Sequence, residues 1–125
     1  MNKIIPCYPG SHPIDTYGNG GFRFAKKSHR GSLICVPSGI FTWNMINFDN
    51  ITFADLSSIY NQLVKPSLLL VGTGKTHAYF SSKVNSELIK AGINLETMST
   101  GAACRTYNIM LNENRPVAAA LLVVR

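Results

Sequence analysis

Residues 92–122, GINLETMSTGAACRTYNIMLNENRPVAAALL, constrain this chain more than any other stretch. They compress a short apolar strand, a sharp turn, an amphipathic helix and a second apolar strand into one unit. A strand, a helix and a following strand lie in one sheet through a crossover, which favours parallel pairing and a right-handed connection. At the turn stand Glu96-Thr97-Met98-Ser99-Thr100-Gly101-Ala102-Ala103-Cys104-Arg105-Thr106-Tyr107-Asn108. Packing alone does not call for so many small and polar residues at a strand-to-helix junction. The first N–H groups of a helix lack intrahelical partners, so such an end attracts anionic groups.

The preceding residues extend the same pattern. Thr52 and Asp55 form a capping box, and Phe53, Leu56, Ile59, Tyr60 and Leu63 recur at helical spacing until Pro66. Ser67-Leu68-Leu69-Leu70-Val71 is continuously apolar, as in a strand covered on both faces, and ends at Gly72-Thr73-Gly74. Ser81 or Ser82 caps a second helix carrying Val84, Leu88 and Ile89, with Gly92 as its C′ residue. Ser99 or Thr100 caps a third, whose buried face takes Ala103, Thr106 or Tyr107, Met110 and Leu111, and Asn114 supplies a left-handed exit. The eight apolar residues 117–124 suit a central strand. Residues 14–43 read instead as strands and glycine turns, including Gly18-Asn19-Gly20-Gly21 and Gly31-Ser32. The expected architecture is an α/β three-layer fold. It has a mixed, largely parallel central sheet, N-terminal β-hairpins and about three helices in a single domain over residues 1–125.

A chain of 125 residues with 46% hydrophobic content can bury a core without cross-links. The three cysteines, Cys7, Cys35 and Cys104, form no CxxC pair, and the three histidines are equally scattered. No disulfide framework, metal site or cofactor is therefore expected. The start is too short and too broken by Pro6 for a signal peptide, and residues 117–124 are too few to span a bilayer. A soluble cytoplasmic protein without an integral membrane segment is the expectation.

The formal net charge is +6, and Arg23, Lys26, Lys27 and Arg30 fall close together beside His29. Such a cluster serves either an acidic partner, whether nucleic acid or anionic lipid, or the protection of a sheet edge. The run is short and has only Phe22 and Phe24 as interleaved aromatics, so edge protection is preferred and a nucleic-acid partner is not expected.

Three local patterns bear on chemistry. Gly72-Thr73-Gly74-Lys75-Thr76 resembles the end of a phosphate-binding loop, but the glycine that the motif needs five positions before Gly74 is Leu69. A tight turn after a buried strand is the preferred reading, although such a turn can line a crevice. Cys104 lies in the first turn of the third helix, where the dipole lowers a thiol's pKa, yet no histidine base is near it in sequence. Glu96 and Arg105 could meet across the junction as a structural ion pair. Alternatively, Arg105 and the N–H groups at residues 101–103 could receive a carboxylate or phosphate, with Tyr107 and Asn108 at the rim. Trp43 suits either core or contact surface.

Gly72-Thr73-Gly74, Gly92-Ile93-x-Leu95-Glu96-x-Met98-x-Thr100, Ala102-Ala103-Cys104-Arg105-Thr106-Tyr107-Asn108 and Arg115-x-Val117-Ala118-Ala119-Ala120-Leu121 together resemble the Mth-like domain family. Tyr17, Gly31-Ser32, Pro37 and Trp43 belong to the same resemblance, which covers residues 14–122. It implies a three-layer α/β fold and no established enzyme activity. It also implies a protein partner, in keeping with a mitochondrial member that assists assembly of respiratory complex I. That member implies a matrix location in eukaryotic relatives, while the expected lack of a transit segment favours the bacterial cytoplasm for this chain. The combined expectation is a non-enzymatic protein-binding or assembly factor with a site at Gly72, Thr73, Gly74, Glu96, Thr100, Gly101, Arg105, Tyr107 and Asn108. The alternative is a small-anion binder or cryptic enzyme using the crevice at the start of the third helix.

Overall fold

A computed structural model describes residues 6–125; the first part of the segment assessed above as a leader lies outside them. The main sheet contains β1 (Tyr8–Pro9), β5 (Ser32–Val36), β6 (Gly39–Trp43), β7 (Leu68–Gly72), β8 (Asn94–Met98) and β9 (Val117–Leu121), in the order β1-β6-β5-β9-β7-β8. A second, three-stranded sheet is formed by β2 (Thr16–Gly18), β3 (Gly21–Phe24) and β4 (Lys27–Arg30). The main sheet is mixed, as expected. Its parallel part is confined to β7 with β8 and β7 with β9. The other pairings are antiparallel, a larger share than expected, because β9 also accepts β5 of the N-terminal meander along its second edge.

The strand period of two sends alternate residues to opposite layers. Leu69, Val71, Ala118 and Ala120 face one layer, which holds Val84 and Leu88 of α2 (Ser82–Lys90) and Phe80 from the loop before it. The same layer contains Leu56 and Ile59, from a 3-10 turn at Phe53–Leu56 and the short α1 (Ser57–Tyr60). Leu70, Ala119 and Leu121 face the other layer, where α3 (Thr100–Asn112) contributes Ala103, Cys104, Tyr107 and Met110. Phe22 and Phe24 of the small sheet complete that side. β9 is buried along its whole length, as its apolar run implied.

The helix signals hold with two corrections. The Asp55 carboxylate accepts from the Thr52 N–H at 2.7 Å and from its hydroxyl at 3.0 Å, but the regular helix stops at Tyr60 and Leu63 is fully exposed. Four residues after Ile59, the chain has already left the helical path. Ile89 is also exposed, since one residue beyond Leu88 turns it away from the sheet. Ser81 caps α2 by accepting from the Val84 N–H, and Gly92 follows it with φ of +81°. Asn114 takes the expected left-handed conformation after α3, at φ +58°. Trp43 belongs to the core, its indole N–H donating to the Asp55 carbonyl at 2.9 Å.

Candidate functional site

The carboxyl ends of β7, β8 and β9 converge on the start of α3, and Thr100 ties them together. Its hydroxyl donates to the Leu122 carbonyl at 2.7 Å and accepts from the Gly74 N–H at 3.0 Å. Its own N–H donates to the Gly74 carbonyl at 2.8 Å. Thr73 donates its N–H to the Met98 carbonyl, and the Leu122 N–H donates to the Gly72 carbonyl. Thr100 is wholly buried, and its bond to the Leu122 carbonyl forms out of contact with water, while the bond from Gly74 is part-buried. Close approach is possible because Gly72 has no side chain: a Cβ there would stand 2.9 Å from the Thr100 Cα.

The loop after β7 closes on itself. The Thr73 hydroxyl donates to the Thr76 carbonyl at 2.7 Å and accepts from the Ala78 N–H at 3.1 Å. Gly74 supplies a φ of +105° between them. These contacts explain the turn without a phosphate cradle.

The end of α3 is engaged as well. Ser99 is the N-cap, its hydroxyl accepting from the Ala102 N–H at 3.4 Å, and the Ala103 N–H donates to the Ser99 carbonyl. Gly101 is buried beneath Tyr17, whose hydroxyl occupies the space that a side chain would need. The structure thus brings Gly72, Thr73, Gly74, Thr100 and Gly101 together as a closed junction.

The remaining expected residues divide differently. The pairing of Glu96 with Leu70 puts Glu96 on the α3 face of the sheet, and both Glu96 and Arg105 are exposed. Among the described residues no ion pair joins them. Asn108 is a latch: its carbonyl accepts from the Ile14 N–H and its amide donates to the Ile14 carbonyl, each at 2.8 Å. Tyr107 lies in the core rather than at a rim, against Cys35. Tyr17 and Ser32 escaped notice as site residues. Ser32 donates its hydroxyl to the Met45 carbonyl and accepts from the Val123 N–H, which secures the chain just past β9. Their recurrence within the family resemblance was the one available signal.

Cys104 does not have the lowered pKa expected at a helix start. Burial pushes its thiol up to about 12, against the smaller opposing effect of Arg105. Burial, reinforced by Cys104, likewise pushes Cys35 up to about 12, and burial raises the Tyr107 phenol. Neither thiol is a thiolate at neutral pH, so neither is a poised nucleophile. The folded protein retains these protons where the unfolded chain, with thiol pKa 9.0, releases them. Stability contributed by the neutral thiols is therefore complete below pH 9 and declines as pH rises toward 12. A melting series should show Tm falling across that window, with a shallower fall in the C35A/C104A variant.

Among the described residues no group of His, Cys, Asp and Glu is arranged to hold a metal ion. No helix among them is long and apolar enough to cross a membrane.

This architecture defines a mixed α/β domain whose layers meet at one threonine-centred junction. Residues 14–122 match the family described as "Protein of unknown function (DUF498/DUF598)", and the chain belongs to that family. An uncharacterised protein of Rhodobacter capsulatus is 39% identical over 94% of this chain and 89% of its own length. NADH dehydrogenase [ubiquinone] 1 alpha subcomplex assembly factor 3 of Danio rerio is 33% identical over 87% of this chain. The Xenopus tropicalis counterpart is 28% identical over the same share. The chain spans 63% and 60% of those two proteins. A Bartonella henselae crystal structure, described as an outer membrane protein, superposes with a TM-score of 0.89 at 46% identity, covering 94% of this chain and 99% of that one. The structure named MT938 shares the fold, with a TM-score of 0.66 at 17% identity over 92% of this chain and all of that one.

Proposed function

We propose that the chain is a non-enzymatic, partner-binding domain over residues 1–125 that holds a protein during assembly of a membrane-bound respiratory complex. The observation that carries this reading is the division of α3. Its inner face and the N–H groups of Thr100 and Ala102 are engaged within the fold, whereas Arg105, Ile109 and Asn112 stand exposed at helical spacing along its outer face. Beside Ile109, a groove of about 520 Å³ separates α3 from Ser11 and Pro13. An exposed isoleucine flanked by an arginine suits a protein contact, for which arginine and apolar anchors are favoured. The assembly-factor relatives, aligned over most of this chain, support a protein partner of that kind.

Gly72, Thr73, Gly74, Thr100 and Gly101 then set the position of α3, and Asn108 holds Ile14 against it. Arg105 makes the contact, with Glu96 as a carboxylate on the same side of the sheet. A small anion at the α3 start is less well supported, because Thr100 and Ala102 already donate internally and Tyr17 covers Gly101. A cytoplasmic location, matching the matrix side in mitochondria, accords with this role.

Purification of the tagged protein from native membranes should recover a subunit of a membrane-bound respiratory complex. Arg105→Glu should lower that recovery by roughly tenfold, as loss of an interface arginine does, with an unchanged circular dichroism spectrum. Equal recovery with a folded variant would remove Arg105 from the contact.

A further inference from the structure

The small sheet carries aromatic residues on one face and cations on the other. Phe22 and Phe24 enter the core, and Tyr17, paired with Phe22, turns toward Gly101. Alternation then sends Thr16, Gly18, Gly21, Arg23, Ser28 and Arg30 to the outer face. The register sets Arg23 opposite both Thr16 and Ser28, and Gly21 opposite Arg30. A groove of about 380 Å³ runs over these strands, and no acidic side chain lines it among the described residues. Gly18 and Gly21 leave its floor bare. That bareness is fixed at Gly21, where a Cβ would run into the His29 carbonyl.

Arg23 cannot be explained as edge protection, since β3 is the central strand of its sheet. Lys26 lies in the turn at one end of the sheet, while Lys27, opposite Phe24, is on the other face. Arg125 extends the positive field near Gly20, whose N–H donates to the Val124 carbonyl at 2.9 Å. His29 adds no charge at neutral pH: burial lowers its pKa, and its Nδ1 lies 3.0 Å from the Tyr8 hydroxyl.

We infer that this groove binds a phosphate group, held by the guanidinium groups of Arg23 and Arg30 and the hydroxyls of Thr16 and Ser28. A guanidinium group matches an oxyanion in charge and hydrogen-bond geometry, and the Arg30 Nη1 lies over the Gly20 turn at one end of the groove. Tyr17, Phe22 and His29 border the groove, but alternation turns their side chains to the opposite face, which disfavours base stacking and so single-stranded nucleic acid. A free phosphate compound and a phospholipid headgroup present the same chemistry. The groove is separate from the outer face of α3, so partner capture and phosphate binding fail independently.

An NMR titration of the isotope-labelled full chain with inorganic phosphate, at constant ionic strength, tests the site. Saturable amide shifts are expected around Thr16, Gly18, Gly21 and Ser28, with Kd on the order of 1–10 mM for a small exposed contact. The R23Q/R30Q variant should lose these shifts while melting as the parent does, because both arginines are exposed. Ser28→Asp, which sets a carboxylate opposite Arg23, should also lose them. Flotation with vesicles then identifies the source. Binding to anionic but not to phosphatidylcholine vesicles, reduced at least about tenfold in R23Q/R30Q, assigns a headgroup, since each basic residue near an anionic surface contributes about 1 kcal/mol. Phosphate shifts without vesicle binding assign a free phosphate compound. Absence of saturable shifts, their persistence in R23Q/R30Q, or an even spread to Lys65, Lys83 and Lys90 would overturn the site. Tighter binding of single-stranded RNA than of phosphate through the same arginines would replace it with a nucleic-acid surface.

Discussion

Thr100→Val should destabilise the protein by about 2–4 kcal/mol, because it leaves two inward-facing backbone groups without partners. Valine matches threonine in shape, so the change removes the hydroxyl without opening a cavity. The Leu122 carbonyl then loses its donor at 2.7 Å and the Gly74 N–H loses its acceptor at 3.0 Å. Thr100 has no measurable exposure, which prevents water from replacing the hydroxyl at the Leu122 carbonyl, the buried one of the two groups. Thr100→Ser keeps both bonds and should cost only about 1 kcal/mol for the lost methyl. Chemical denaturation of the two variants separates these cases. A Thr100→Val protein as stable as the Ser variant would mean that the hydroxyl bonds do not hold the junction.

Gly72→Ala should cost about 1–3 kcal/mol through overpacking. The added methyl would meet the Thr100 Cα at 2.9 Å, the Thr100 Oγ1 at 3.0 Å and Leu121 Cδ2 at 3.2 Å. The first of these is backbone, so relief requires α3 to move away from β7. Gly92→Ala provides the contrast: nothing lies within 4 Å of its Cβ position, and only the positive φ is strained. The Gly72 and Thr100 variants touch the same contact, so their effects should not add. Differential scanning calorimetry of the single and double variants measures that coupling.

Much of this fold is visible in the periodicities of the chain. The apolar runs at residues 67–71 and 117–124 announced buried strands, and β7 and β9 are those strands, although β7 is displaced by one residue and β9 ends at Leu121. The helix boundaries were readable to within a residue, Ser81 of the pair Ser81 or Ser82, Ser99 of the pair Ser99 or Thr100, and Asn114, because caps and left-handed exits are local chemistry. Leu63 was misassigned because nothing in a four-residue apolar spacing registers where a helix stops. The candidate site was legible as a location, but the engagement of its groups was not. Thr100 meets Leu122, and Tyr17 covers Gly101, only after distant segments pack together. Cys104 illustrates the same limit. A helix start lowers a thiol's pKa, but here burial is the larger effect, and burial is a tertiary property.

The most direct test of the proposed role is photo-crosslinking in cells from single positions on α3. A photoreactive residue at Arg105 or Ile109, both exposed, should trap one defined protein belonging to a membrane-bound respiratory complex or its assembly intermediate. The same residue at Lys83, exposed on α2 across the sheet, should not trap it. Failure to form a protein adduct from either α3 position, or the same adduct from Lys83, would contradict partner binding through the outer face of α3.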